Sequence, residues 1–441
     1  LLALALAFAL FTTACTQENT DAGKIQDLQD RIKEIEKEND ELKDLVGDKG
    51  IKAEDPVVPF NDDFLRSFCD ILAEDDPSEK LSGFVSEQRL VERLSLSMKN
   101  LKNRVPKCSF TRKVLYDFPF DIAEYKTDKG YLYVQAHNSK EFKLQRFLPL
   151  DFEYQLEMSS HDIPTRDGEK LRTWVVHRKE GTAKKGAIFM RSPYIVYGSL
   201  IAQGLFAAHL DKILVLQANR GSHNSTGQFK WLHPHDIDDS YDSLEWISKL
   251  PNSNGKVMAF GVSYDGYNAL GSAASNHPAL KSVIACSAPA NAATDSFTSS
   301  KFVENGIFSY VTTDRRNETV WDAWNYREFI QTRASTRARM NMDDILLGFD
   351  SEEWNVTSEA IDDQNHPYWK ERQLLDALHE AKMPIAHVAG LVRDQDGRDT
   401  WLGFDSMDKN SKHKNLNFLA LHKSGHGCGD FFREVPLAKK L

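Results

Sequence analysis

The stretch Lys256–Ala274, KVMAFGVSYDGYNALGSAA, constrains this chain more than any other. Lys256–Phe260 is a short apolar run, long enough for a buried strand, and Asn268–Ser275 is rich in Ala, Leu and Gly and reads as the start of a helix. Between them stands Ser263, with Gly261 two residues before it and Gly266 three after, a relative of the glycine-flanked pattern G-x-S-x-G. A strand–turn–helix of this kind holds the serine in a strained backbone, and glycines on either side allow the close approach that exposes its hydroxyl. The bland reading of the same residues is a plain turn of a parallel sheet, so the rest of the chain has to decide.

From Phe152 onward, short apolar runs alternate with helix-like stretches. Lys170–Val176, Gly186–Met190, Lys212–Gln217, Lys256–Phe260, Met383–Gly390 and Leu416–Leu421 are the predicted strands. That alternation predicts an α/β fold, a mostly parallel sheet flanked by helices. In such sheets chemistry gathers at the carboxyl ends of the strands. Four segments fall there: Arg191–Tyr194, Gln217–Gly221, the Ser263 turn, and the loop after Ile385–Val388.

A serine is a poor nucleophile until a base takes its proton, and the base needs an acid to fix its tautomer. In this fold type the acid and then the histidine follow the serine in the chain. Asp394 lies in the loop after the predicted strand Met383–Gly390, and His426 lies in the loop after Leu416–Leu421. Asp396 is an alternative acid and Asp430 a weaker one. His387 and His422, in or beside apolar strands, read as core or supporting residues.

The amino-terminal part has a different character. Leu1–Phe11 is a continuous apolar run, too short to span a bilayer and right for the hydrophobic part of a secretion signal. Cys15, directly after small residues, resembles the lipobox cysteine of bacterial lipoproteins, with Thr12 where leucine is usual; an ordinary signal peptide is the alternative. In Ile25, Leu28, Ile32, Ile35, Leu42 and Leu45 an apolar residue recurs every three or four positions among charges, with Asn39 in the seam, which reads as a short coiled coil or a solvated single helix. Within 60–150, Phe64–Leu72 and Ser86–Leu101 look helical and Tyr131–Gln135 and Phe142–Leu148 look like strands. An exported protein permits a disulfide between Cys69 and Cys108, two buried thiols being the other possibility. The sequence begins with Leu1 rather than Met and is expected to be a fragment at both ends.

Hydrophobic residues make up 41% of the 441, enough to bury a sizeable core, and the net charge of -10 with no long basic stretch argues against a nucleic-acid partner. There is no metal-ligand spacing beyond the isolated His233-Pro234-His235-Asp236, and no phosphate loop or nicotinamide fingerprint, so no cofactor and no metal are expected.

Several separate segments of Phe152–Gly429 together resemble the α/β-hydrolases that include X-Pro dipeptidyl-peptidases, cocaine-type esterases, glutaryl acylases and α-amino-acid ester hydrolases. They are RSPY at Arg191–Tyr194, ANRGSHNSTGQF at Ala218–Phe229, Asp239–Leu250 with Asn254–Val257, the turn GVSYDGYNAL, HPALK at His277–Lys281, Asn305–Phe308 and His366–Trp369. The resemblance implies an α/β-hydrolase fold with a helical cap, and a triad of Ser263, Asp394 and His426. It assigns the oxyanion hole to the Tyr194 hydroxyl and the Tyr264 backbone N–H, and it leaves Asp396 as what remains of a carboxylate cluster that binds the substrate's ammonium. Ala218 stands where the family has aspartate, Lys301 falls near another cluster position, and HKSG replaces the residues usual before the histidine. A lysine there repels a cationic amine, which argues against α-amino substrates. The family also carries a β-sandwich after the histidine.

The expected organisation is therefore a signal at 1–15, a tether and coiled coil at 16–53, a small N-terminal region at 60–150, the hydrolase core at 152–294 and 376–441, and the cap at 295–375. The expected protein is an exported serine hydrolase of the bacterial cell envelope, lipid-anchored through Cys15, acting on a small acyl ester, an amide or a short peptide. The coiled coil offers a route to a homo-oligomer. An X-Pro dipeptidyl-peptidase is the nearest alternative, and a non-catalytic surface lipoprotein with a hydrolase-like body is the second.

Overall fold

Side-chain parity along the strands sets the layers. In the computed structural model, residues 62–291 and 365–429 are described, apart from 86–87, 118–119, 139–143, 180–182, 194–203, 205–206, 229, 231, 392–393 and 395. All fall in one compact unit, Pro56–Leu441. The predicted leader with Cys15, the heptad segment, Tyr194, Lys301 and most of the predicted cap lie outside the described residues.

An eight-stranded sheet carries the order β12-β11-β10-β9-β7-β8-β6-β5. Its strands are β5 (Leu156–Pro164), β6 (Lys170–Arg178), β7 (Lys185–Ser192), β8 (Ile213–Ala218), β9 (Ser253–Val262), β10 (Leu280–Cys286), β11 (Ile385–Gly390) and β12 (Asn417–His422). The pairs from β12 across to β8 are parallel, and β6 pairs antiparallel with both β8 and β5. All six residues of β8, ILVLQA, are buried, as a strand covered on both faces requires. Alternate residues go to opposite faces: Val175, Phe189 and Val215 pack in one cluster, and Trp174, Val176, Ile188, Met190, Leu214 and Leu216 in another. The sequence locates six of these strands. It misses β5, whose LEMSSHDIP holds no continuous apolar run, and β10, whose LKSVIAC is interrupted by Lys281 and Ser282 before its apolar end.

The first face is covered by α4 (Asp236–Ser248) and α5 (Tyr264–Ala274), whose Leu244, Ile247, Tyr267 and Leu270 join that cluster. The second face meets a smaller antiparallel sheet in the order β1-β2-β3-β4, formed by Cys108–Asp117, Phe120–Thr127, Gly130–Asn138 and Leu144–Phe152. Leu115, Ile122, Tyr133 and Phe152 of the small sheet pack with Trp174 and Ile188 of the large one. The opposite parity, Ala123, Tyr125, Leu132, Val134 and Ala136, is covered by α1 (Asp62–Ala73) and α3 (Gln88–Arg104), which flank the short α2 (Ser78–Leu81). Thus the small sheet is a filled layer between its own helices and the large sheet. The sequence reads two of its four strands, because β1 (CSFTRKVLYD) and β2 (FDIAEYKT) carry charges among their apolar positions.

Two features pin this layer down. Cys69 of α1 is bonded to Cys108 at the start of β1, which settles the open question of that pair in favour of the disulfide. Glu124, fully buried, accepts hydrogen bonds from the Tyr133 hydroxyl at 2.8 Å, Gln155 Nε2 at 2.6 Å and Arg112 Nη2 at 3.2 Å. Arg112 also reaches the Leu156 carbonyl at 3.0 Å, which ties the network to the first strand of the large sheet.

Candidate active site

The turn between β9 and α5 is built around Ser263, whose φ of 62° and ψ of -126° are unusual for a residue with a side chain. Such a conformation costs on the order of 1–3 kcal/mol and persists only where its surroundings over-determine it. Here the surroundings are the two glycines. A Cβ on Gly261 would lie 1.9 Å from the Asp265 carbonyl oxygen, and one on Gly266 would lie 2.7 Å from Ala288 Cβ. The Ser263 N–H donates to the Cys286 carbonyl at 2.9 Å, fixing the turn to the end of β10. Tyr264 opens α5, so its N–H belongs to the first-turn donors that a helix does not satisfy internally. Its side chain faces elsewhere: the hydroxyl accepts from the Leu232 N–H at 2.9 Å and is buried.

The arginines of the RSPY and ANRG segments are struts. Arg191, 2% exposed, donates to Gln217 at 3.0 Å, to Ser240 at 2.8 Å and to the Asp236 carboxylate at 3.3 Å. Arg220 grips Asp239 at 2.6 Å and Asp167 at 2.7 Å. Burial works against the Asp167 carboxylate's charge, but the Arg220 guanidinium does more and holds it well below the usual range. Asn268 of α5 donates to the Arg191 carbonyl at 2.9 Å and to Asn219 at 3.1 Å, so the end of β7 and the residue after β8 are fastened to the helix that begins at the serine. Two residues past Ser263, Asp265 sits where burial pushes its carboxyl up to about 8 despite a hydrogen bond from Ser192.

The acid and the base meet beyond β11 and β12. His426 Nδ1 lies 3.1 Å from Asp394 Oδ1 and 3.3 Å from Asp396 Oδ2. The Asp394 side chain is buried and that of His426 is 32% exposed. Asp394 also accepts from the Gly390 N–H at 2.7 Å, the Ser287 hydroxyl at 2.7 Å and the Asp396 N–H at 3.1 Å. Burial would raise its pKa, but the bonds from His426, Gly390 and Ser287 outweigh it and hold the carboxyl below its ordinary value. Both acids weighed from the sequence therefore face the same imidazole, and Asp394 is the better anchored. Asp396 is 1% exposed, turned onto the base.

His422 shapes the base loop. Its Nε2 donates to the Gly427 carbonyl at 2.9 Å, so its Nδ1 accepts from the Ser424 hydroxyl at 2.7 Å. His387 is a core residue, fully buried against Phe404. Both fill the supporting places read for them in the sequence. The sequence gives no hint of Ser287 or of the disulfide joining Cys286 to Cys428. Cys286 and Cys428 are 142 residues apart, and no local pattern pairs them. No hydrogen bond joins the Ser263 hydroxyl to His426 among the described residues. The two are connected instead through Cys286, which accepts from the Ser263 N–H and is bonded to the residue two beyond His426. Asp394, Asp396 and His426 also form a compact donor set for a metal ion, and the Asp–His pairing itself accounts for that geometry.

This strand order, with a strained serine at the turn after β9, an acid after β11 and a histidine after β12, defines an α/β-hydrolase. The chain belongs to the X-Pro dipeptidyl-peptidase (S15) family: the family's model matches residues 167–427, more than half of the sequence. Among solved structures it is similar to an aminopeptidase from a marine sediment Thaumarchaeota archaeon, at 19% identity and a TM-score of 0.48, over 66% of this chain and 55% of that one. It is also similar to an α-amino acid ester hydrolase (20%, 0.44, 64% and 50%) and to a CocE/NonD family hydrolase from Staphylococcus aureus (19%, 0.43, 68% and 50%). The chain thus spans about half the length of those proteins. At these identities the likeness says nothing of what this chain acts on. A comparison with curated proteins finds no match.

Proposed function

We propose that the chain is a serine hydrolase that cleaves ester or amide bonds through an acyl-enzyme, with Ser263 as nucleophile, His426 as base and Asp394 as the acid that orients it. The observation that carries the reading is the buried Asp394 carboxylate on His426 Nδ1, covalently tied through Cys428 to the strand end that holds Ser263. With Nδ1–H donated to Asp394, Nε2 keeps the lone pair that a general base needs.

In the proposed reaction Nε2 takes the Ser263 proton as Oγ bonds to the substrate carbonyl carbon. The Tyr264 N–H, with the Tyr194 hydroxyl that the family resemblance implies, stabilises the negative oxygen; one such donor is worth about 10²–10³ in rate. The imidazolium then returns its proton to the leaving oxygen or nitrogen as that bond breaks. Water repeats the sequence on the ester and releases the acid and free Ser263. Asp396, held against the base, adds a second carboxylate behind the imidazolium rather than a partner for a substrate ammonium.

Export and a lipid anchor at Cys15 belong to the same proposal. They are supported by the apolar Leu1–Phe11 run and by two disulfides, which persist in oxidising compartments. An oligomer through the 16–53 segment follows from its heptads alone. The family match keeps X-Pro dipeptidyl-peptidase activity as a second reading. A fluorophosphonate probe and a panel of nitrophenyl esters and Ala-Pro-nitroanilide test both. Labelling and turnover are expected to vanish in Ser263→Ala, and the panel assigns ester or X-Pro amide preference. Turnover undiminished in Ser263→Ala refutes the proposal.

A further inference from the structure

We infer that Ser287 is a positioning residue: its hydroxyl locks the acid to the backbone of the base loop and sets which carboxylate oxygen the imidazole meets. The inference rests on the triad proposed above. Ser287 is the first residue beyond β10, fully buried, with a φ of 46°. Its N–H donates to the Val388 carbonyl of β11 at 2.7 Å. Its hydroxyl lies 2.7 Å from Asp394 Oδ2 and accepts from the Gly427 N–H at 2.8 Å. The Gly427 carbonyl is also within 3.1 Å of the hydroxyl but already receives the His422 Nε2–H at 2.9 Å. The single hydroxyl proton therefore goes to the charged carboxylate, the stronger acceptor.

One side chain thus touches the residue after the base and the acid at once. Oδ2 of Asp394 is taken by Ser287 and by the Gly390 N–H, which leaves Oδ1 for His426 Nδ1. The neighbouring disulfide repeats the tie covalently, since Cys286 precedes Ser287 and Cys428 follows Gly427. The backbone adds its own argument. At a φ of 46° glycine carries no steric cost and serine does, so a serine held there is held for its hydroxyl.

The test compares Ser287→Ala and Ser287→Gly with wild type on a nitrophenyl ester. A base displaced by a fraction of an ångström lowers kcat by about 10- to 10²-fold while KM stays within about twofold. A carboxylate that loses the Ser287 proton becomes more basic and holds the imidazolium more tightly, so the acid limb of the kcat/KM profile moves to higher pH. Ser287→Gly relieves the backbone, keeps or raises the unfolding midpoint, and does not restore the rate. Wild-type kcat and pH profile in either variant overturn the inference, and so does recovery in Gly of the rate lost in Ala. Should neither variant fold, amide exchange at Gly427 in the wild-type protein decides: protection supports the bond to Ser287, and exchange at the unprotected rate overturns it. A wild type with neither turnover nor probe labelling refutes the triad and this inference with it. An active wild type with indifferent Ser287 variants refutes this inference alone.

Discussion

Replacing both Cys286 and Cys428 with alanine tests the link between the serine half and the histidine half of the site. The bond closes a loop of 142 residues. In the chain-entropy account, a loop of that length removes about 17 cal/mol/K from the unfolded ensemble, or about 5 kcal/mol at room temperature. Both half-cystines are held in packed surroundings, with Cys286 fully buried beside Ile284 and Val388. Deleting two sulfurs therefore adds a packing loss in the same direction. For an m-value near 3 kcal/mol/M the urea midpoint should fall by roughly 1.5–2 M. The activity effect is separable and should come first. The base loop stays folded through His422 and Ser287, but it loses its covalent register with the Ser263 turn, so kcat should fall in the absence of denaturant. Equilibrium urea unfolding followed by tryptophan fluorescence, with ester turnover measured at zero denaturant, reads both quantities. A variant with an unchanged midpoint and an unchanged kcat refutes the reasoning.

Three further outcomes follow from the same geometry. Asp394→Asn presents an amide where the imidazole needs an acceptor, so kcat should drop by about 10⁴ with the fold intact by circular dichroism; a loss below tenfold would shift the acid's role to Asp396. Gly266→Ala drives a methyl to 2.7 Å from Ala288, and overpacking of that kind should cost about 1–3 kcal/mol in thermal or urea unfolding. His387, fully buried with neither ring nitrogen hydrogen-bonded among the described residues, has its pKa pushed by burial down to about 4. The unfolded chain takes up that proton near pH 6.5 and the folded chain does not, so stability present above pH 6.5 is lost as the pH falls toward 4. The loss is about 2 kcal/mol at pH 5. His387→Leu should flatten that part of the stability–pH curve, and an unchanged slope would contradict it.

Much of the scaffold is legible in the residues because the signals are local. Runs such as ILVLQA and IAHVAG bury every or nearly every position, and a strand covered on both faces has no other way to be written. The serine turn is readable for the same reason, since both glycines are required by contacts within a few residues or with the next strand. β1 escapes because charged residues stand among its apolar positions, and β2 and β10 because Glu124 and Ser282 are buried there, Glu124 by bonds that include one from Gln155, 31 residues away.

What the sequence by itself determined is the order of the parts: a glycine-flanked serine after one apolar run, an acid after a second and a histidine after a third. Order is a property of the chain, and local sterics and periodicity are enough to write it. Only the tertiary structure decided that Asp394 and Asp396 share one imidazole, that Ser287 and the Cys286–Cys428 bond join the two loops, and that Arg191 and Arg220 are buried struts. Each of those facts needs groups tens to more than a hundred residues apart to meet within about 3 Å. Sequence spacing carries no information about such meetings until the sheet has closed the distance.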